Sequence, residues 1–306
     1  MTRKIALADL QKVVDQAYEL YKSDKSGTVD PRLSGVDENS FGIVVTLTDG
    51  TIIKKGDTTV KSPLGDIAKI PLSVVLLSQN TPDELVVKSG TCSCKCGHIK
   101  PEVGICPHGV RAVSAVQPVG DPEGKWNLLV DTAINMMGSA PELNDKLYED
   151  TMASLNAKNA VDAFAATEYT LYDDTELSLK LFAKFTSMQA DAEQLSMMAA
   201  TVAADGVCPA NEQIAFDGRI SPTVVTLAAV LGKHRMRRAW LMKTGLPARF
   251  SFGGAIAGIL PGVAGIAVYS PQLCEGGVSK RGAEAIKYIT SELQLNVFAS
   301  ARVKFI

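Results

Sequence analysis

No charge of either sign dominates this sequence: 31 lysines and arginines face 33 aspartates and glutamates, a formal net charge of −2. Without a basic surplus there is no electrostatic pull toward nucleic-acid phosphates or an anionic membrane, and neither is expected as a partner. No apolar run is long enough to span a bilayer. The nearest, Gly253 to Val268, is short and is cut by Pro261-Gly262, so it reads as two buried strands joined by a tight turn. The opening residues, Met1 to Leu10, turn acidic too soon for a secretory signal, which leaves the cytoplasm as the expected location. No internal repeat or low-complexity tract interrupts the chain.

What is present is an ordinary globular composition, 46% hydrophobic and 21% charged over 306 residues, enough for one large α/β unit or two modest domains. Ile5, Leu7, Leu10, Val13, Val14, Ala17 and Leu20 recur at helical spacing and predict an amphipathic helix. Phe41 to Gly50 followed by Thr51-Ile-Ile-Lys-Lys predicts a hairpin with Asp49-Gly50 at its turn. Pro71 to Ser78 reads as the start of a buried helix. Residues 80–126, rich in Gly, Pro and Cys, read as an irregular surface excursion. From 130 to 230 the pattern is mostly helical. It includes a helix stopped at Gly206 and another with Ser221 as N-cap and Pro222 at its first position. Two strands and a closing helix, Lys280 to Leu293, follow. A single unit is expected, with its sheet part drawn from residues 1–75 and 235–306 and its helical part from 130–230.

Several segments then carry a family likeness. Gly245-Leu-Pro-Ala-Arg-Phe-Ser-Phe-Gly-Gly-Ala-Ile256 and Leu260-Pro-Gly-Val-Ala-Gly-Ile-Ala-Val-Tyr-Ser-Pro271 resemble the closing hairpin of the glutaminase family. Met197 to Pro209 resembles its MAATLANGGVNP run, Asp37 to Ile43 with Gly56-Asp57 its first hairpin, and Leu293 to Phe298 its terminal strand. The matched segments keep the family's order and nearly its spacing. The resemblance implies the α/β (α+β) class and a β-lactamase/transpeptidase-like fold: an antiparallel sheet built from both chain ends, flanked by helices, plus a helical subdomain. It also implies a small-molecule, amino-acid-like ligand and a homo-oligomer.

The family's catalytic motif, Ser-x-x-Lys, lies nine residues after its Gly-Asp, and that position here holds Asp66-Ile67-Ala68-Lys69. A carboxylate is a weak acyl acceptor, and three residues along a helix it would pair with Lys69 and hold it charged. Serine-dependent glutamine hydrolysis is therefore not expected. By the same resemblance the family's tyrosine falls on His234, an asparagine near Asp131, a glutamate on Met152 and a second tyrosine on Phe182. Another asparagine is kept as Asn159, and the Lys-Ser-Gly triad with the following valine becomes Arg249, Phe250, Ser251 and Phe252. The candidate catalytic set is thus Asp66, Lys69, His234 and Asp131; the candidate substrate contacts are Asn159, Arg249, Ser251 and Phe252.

Each candidate has a plainer alternative. Asp66 either caps a helix or works as an acid/base; with Pro71 so near, the helix either includes Lys69 or begins at Pro71 and leaves both residues on a preceding turn. His234 lies in a basic cluster with Lys233, Arg235, Arg237 and Arg238, which reads as a solvated face or a substrate contact. Cys92, Cys94, Cys96 and Cys106, with His98 and His108, place four thiols and two imidazoles within seventeen positions. They form a possible zinc site, a reactive thiol or an ordinary loop, because C-x-C-x-C is not the usual knuckle spacing. Cys208 and Cys274 read as structural. Three functions follow: repurposed acid/base chemistry on a small amino-acid- or amide-like substrate, a non-catalytic homologue that binds a metabolite or partner, and a glutaminase of unorthodox mechanism.

Overall fold

The computed structural model describes residues 2–33, 35–89, 105–155, 171–230, 234–300 and 302–306, with backbone alone at 2, 86–89, 234–238 and 302. Among the described residues the strands are β1 (Thr2–Ile5), β2 (Gly42–Leu47), β3 (Ile52–Gly56), β4 (Ser62–Pro63), β5 (Glu142–Leu143), β6 (Met188–Ala190), β7 (Ala248–Phe250), β8 (Ala255–Leu260), β9 (Ala264–Tyr269) and β10 (Arg302–Phe305). The α-helices are α1 (Leu7–Tyr21), α2 (Lys69–Gln79), α3 (Pro82–Ser89), α4 (Pro107–Ser114), α5 (Pro122–Met137) and α6 (Asp145–Ser154), then α7 (Thr175–Thr186), α8 (Ala192–Ala203), α9 (Ser221–Val230), α10 (His234–Thr244) and α11 (Lys280–Glu292). No described helix is long and apolar enough to cross a membrane.

The central sheet has five strands in the order β3-β2-β9-β8-β7. Every pairing in it is antiparallel. Alternation along its strands divides the apolar residues between two cores, as the two-residue strand period requires. Val44, Ala257, Ile259, Ala267 and Tyr269 face one core. Ile43, Val45, Ile256, Ile266 and Val268 face the other, with Leu10, Val14, Ala285 and Ile289 of α1 and α11. Both faces are covered, which is why β8 and β9 read as one continuous apolar run. On the first face α8 lies against Gly265, where an added Cβ would stand 2.0 Å from the carbonyl oxygen of Ser196. Only glycine lets that helix lie so close to the sheet. Thr46 and Ser196 share a buried hydroxyl hydrogen bond of 2.7 Å at the same contact.

The α/β class with an antiparallel sheet from both chain ends is as expected, and four local readings change. Residues 80–126 hold α3, α4 and the start of α5, and Leu85, Val110, Val113 and Val116 enter the core. Val110 and Val113 share one helix face, a pattern too short to stand out beside so many Gly, Pro and Cys. The helix after Gly218 is introduced by Asp217, whose side chain accepts from the Arg219 amide, while Ser221 is already helical with φ −49°. The terminal strand is Arg302–Phe305, paired in parallel with β1, whereas residues 293–298 form no strand. Pro71 lies within the first turn of α2, where a missing amide removes no helical hydrogen bond.

Two contacts hold α4 in place. Gly109 lies under the Phe182 ring of α7, where a Cβ would be 2.0 Å from Cζ. Lys125, 2% exposed, donates from Nζ to Ser114 O at 3.0 Å and to Asp173 Oδ2 at 2.6 Å. Burial alone would push the Asp173 carboxyl up, but bonds from Lys125 and from the Gly120 and Asp174 amides hold it below the usual carboxylate range. Replacing Lys125 with Met leaves that carboxylate buried without its cation. Urea unfolding near neutral pH is expected to show a loss of about 3 kcal/mol, recovered in large part by the double variant Lys125→Met/Asp173→Leu. A folded pKa below the unfolded one means the pair's contribution is present above the carboxylate range and is lost as pH falls through it. The gap between wild type and Lys125→Met therefore narrows in acid.

Candidate active site

The chain leaves β4 through Leu64 and Gly65, turns once as a 3₁₀ helix over Gly65–Ala68, and continues as α2 from Lys69. Gly65 has φ +51°, and a Cβ there would stand 3.0 Å from Ser251 Oγ and 3.1 Å from Phe252 Cδ1. The positive φ favours glycine, and the close approach seats the turn against the end of β7. Side chains three residues apart eclipse on a 3₁₀ turn. Asp66 and Lys69 accordingly meet, with Nζ 2.7 Å from Oδ1. The structure thus combines the two sequence alternatives: Asp66 is on the preceding turn, while Lys69 opens the helix.

A third group completes the cluster. Cys106 occupies the N-cap of α4, with Pro107 at the first helical position, and its Sγ lies 3.0 Å from Lys69 Nζ. His108 hydrogen-bonds the same sulfur. Burial works against an ammonium at Lys69, but Asp66 and the Cys106 sulfur outweigh it and raise the pKa, with Arg249 opposing them. Burial likewise works against a thiolate at Cys106. The Lys69 cation, helped by hydrogen bonds from His108 and Lys69, brings the thiol down to about 7, with Asp66 opposing. The N-terminal amides of α4 act in the same direction as the cation. Lys69 is therefore held as a cation, flanked by a carboxylate and by a thiol whose ionisation is favoured.

Around this cluster the other predicted residues are placed unequally. Arg249 is buried on β7, and its Nη2 donates to Leu227 O at 3.1 Å. Ser251 is fully buried; its hydroxyl donates to Pro63 O and accepts from the Gly253 amide, so it ties β7 to β4. Phe252 is half-buried beneath Arg32, whose guanidinium carbon sits 3.8 Å from the ring centroid. Asp131 is exposed on α5 and, among the described residues, has no hydrogen bond or ion pair with Asp66 or Lys69. Phe182 is buried against Gly109, one residue from His108. His234 is the first residue of α10, and its side chain lies outside the described residues. Asn159 and Cys92, Cys94 and Cys96 also lie outside them; the fourth proposed zinc ligand, Cys106, is described and lies beside Lys69. Among the described residues no cluster of three or more His, Cys, Asp or Glu side chains could hold a metal ion.

Sequence reasoning grouped Cys106 with the other cysteines of its segment and missed its pairing with Lys69. The available signal was Cys106-Pro107 at the head of a short helix, where a thiol is lowered by the helix end. Arg32 over Phe252 had no sequence signal.

Comparison with known proteins places this geometry in context. A family model described as Glutaminase matches residues 25–298. The chain is 33% identical to the glutaminase of Parabacteroides distasonis and 32% identical to that of Bacteroides fragilis, each over the whole of both chains. Among solved structures it resembles a probable glutaminase with a TM-score of 0.86 and 22% identity, covering 97% of this chain and 100% of that one. It also resembles the covalent complex of Bacillus subtilis glutaminase YbgJ with 5-oxo-L-norleucine, with a TM-score of 0.79 and 18% identity over 95% and 99% of the two chains.

The electrostatics generate opposite shifts in two variants. Iodoacetamide modification of Cys106, followed by peptide mass analysis, is expected to rise with pH through about 7 in the wild type. Lys69→Met removes the stabilising cation and moves the midpoint up; Asp66→Asn removes the opposing carboxylate and moves it down. Midpoints that coincide in all three proteins would contradict the cluster.

Proposed function

The chain belongs to the glutaminase family, and from that premise we propose that it is an enzyme acting on the side-chain amide of a small amino-acid-like substrate, with proton transfer centred on Lys69. One observation carries the reading: the Lys69 ammonium is held at 2.7 Å from a carboxylate and 3.0 Å from a thiol. A structural ion pair has no use for a titrating sulfur at the same cation, whereas an amide-cleaving centre needs a proton donor for the departing nitrogen. Lys69 supplies that proton and Asp66 holds its Nζ in place. The charged form of Lys69 is the one this role needs, which distinguishes it from a neutral lysine that activates a serine hydroxyl.

The substrate class follows from charge and from the relatives. Arg249, a buried cation that acts on Lys69, suits the α-carboxylate of an amino acid. Phe252 offers an apolar side, and Ser251 fixes the backbone that carries it. The Bacillus subtilis relative was solved with 5-oxo-L-norleucine and another neighbour, Mglu, in a glutamate form, both α-amino acids with a side-chain carbonyl carbon. His234 and Asn159 remain candidate contacts on the resemblance alone.

Ammonia release from a panel of L-glutamine, L-asparagine and related primary amides tests the reading. Turnover of at least one amide is expected, falling by on the order of 10²–10⁴ in both Lys69→Ala and Asp66→Ala, as loss of a positioned proton donor and of its orienting partner requires. Turnover that survives both substitutions would sink the proposal. A ligand that raises the melting temperature without forming product would instead identify a binding homologue.

A further inference from the structure

We propose that Cys106 is the covalent nucleophile of this site, forming a thioester with the acyl group of the amide; the inference rests on the reading of Lys69 as an amide-cleaving centre. Three observations converge on the sulfur. It lies at the N-cap of a helix of eight residues, at the positive end of the helix dipole. It lies 3.0 Å from the ammonium of Lys69 and also accepts a hydrogen bond from His108. The residue is half-buried, unlike a cysteine sealed in the core. The other described thiols lack this combination: Cys208 is fully buried, and Cys274 has no lysine or arginine at hydrogen-bonding distance. A buried packing cysteine has no need of a cation.

The placement also resolves the chemical difficulty at position 66. Asp66 is a poor acyl acceptor, but its carboxylate need not attack anything if the attacking atom comes from α4. The division of labour is then complete: sulfur attacks, Lys69 shuttles the proton, and Asp66 holds Lys69.

The steps balance without an outside reactant other than water. The Sγ lone pair forms a bond to the amide carbonyl carbon, and the C=O π pair moves to oxygen. The tetrahedral adduct collapses, the C–N bond breaks, and nitrogen leaves as ammonia with the proton given up by Lys69 Nζ. Water then adds to the thioester carbonyl as neutral Lys69 takes its proton. The C–S bond breaks, returning the thiolate and the Lys69 ammonium and leaving the carboxylic acid, which ionises in solvent. Thiolate and ammonium must coexist at the outset. Activity is therefore expected to rise with pH along an acid limb near 7, the value to which the Cys106 thiol is lowered.

The test uses 6-diazo-5-oxo-L-norleucine, the electrophile that formed the covalent complex of the Bacillus subtilis relative. It loses N₂ and leaves a stable 5-oxo-norleucyl group on the nucleophile that attacks it. The full-length protein is incubated with the diazo ketone and the adduct is located by peptide mass analysis, with ammonia release from the amide panel measured on the same preparations. Melting curves confirm folding, and both Cys106→Ala and Cys106→Ser are used so that one poorly folded variant does not decide the result. The expected result is a single adduct on Cys106, absent from both variants, whose ammonia release falls to background. Turnover in the wild type with the adduct on another residue, or with no adduct, overturns Cys106 as nucleophile and leaves the Lys69 reading standing. An adduct on Cys106 in a protein that releases no ammonia from any amide supports the nucleophile and overturns the proposed activity. Neither adduct nor ammonia overturns both.

Discussion

An ammonium held mostly out of water has to be compensated, and Lys69 is the point at which this molecule meets that requirement. Its side chain is 12% exposed, and desolvation alone would drive it toward the neutral form. What keeps it charged is a carboxylate brought round by one 3₁₀ turn and a sulfur brought in by the head of a different helix. Both act against burial and against Arg249, which opposes the charge. The states of Lys69 and Cys106 thus depend on each other and on Asp66, with Arg249 acting on Lys69.

The scaffold can be read as what makes that balance geometrically possible. The sheet carries β7 to the edge of the first core, and Gly65 allows the 3₁₀ turn to lie against Ser251 and Phe252. The Ser251 hydroxyl, bonded to Pro63 O, joins the strand before the turn to the strand beside it. On the opposite side α7 presses Phe182 onto Gly109, and Lys125 closes the far end of α4 through Ser114 and Asp173. A further tie holds β7 itself: Trp240 of α10 packs edge-on against Phe250 at 5.0 Å and donates to Leu246 O at 2.6 Å. Most of these contacts are small residues admitting close approach, or polar side chains satisfying backbone carbonyls.

Much of this fold could be read along the chain because its signals are local. The periodicity of Leu10, Val13, Val14 and Ala17 defines α1, and all four are buried. The Asp49-Gly50 turn sits where the hairpin needs it, with Gly50 at φ +88°. The errors also have local causes. Eight-residue helices such as α3 and α4 offer too few turns for a periodic pattern to outweigh Gly, Pro and Cys in the surrounding sequence. Leu293 to Phe298 alternates like a strand, yet Leu293 caps α11, Gln294 takes φ 48°, and the Leu295 amide donates back to Thr290 O.

The candidate site divides along the same line. Asp66 and Lys69 could be paired from sequence, because three residues on any helical turn place side chains together. The capping of α8 by Asp191 and of α11 by Ser279 is similarly written in neighbouring residues. The sequence by itself therefore determined the longer elements, the two-faced sheet and one ion pair, all set by interactions within a few residues. Only the tertiary structure decided that Cys106, 37 residues beyond Lys69, would be its second partner, and that Asp131 would face solvent instead. The physical reason is that a sequence pattern specifies which face of an element is buried. Which distant side chain lies across from it depends on how helices such as α4 and α7 pack, and that is fixed by shape complementarity between residues with no local relation.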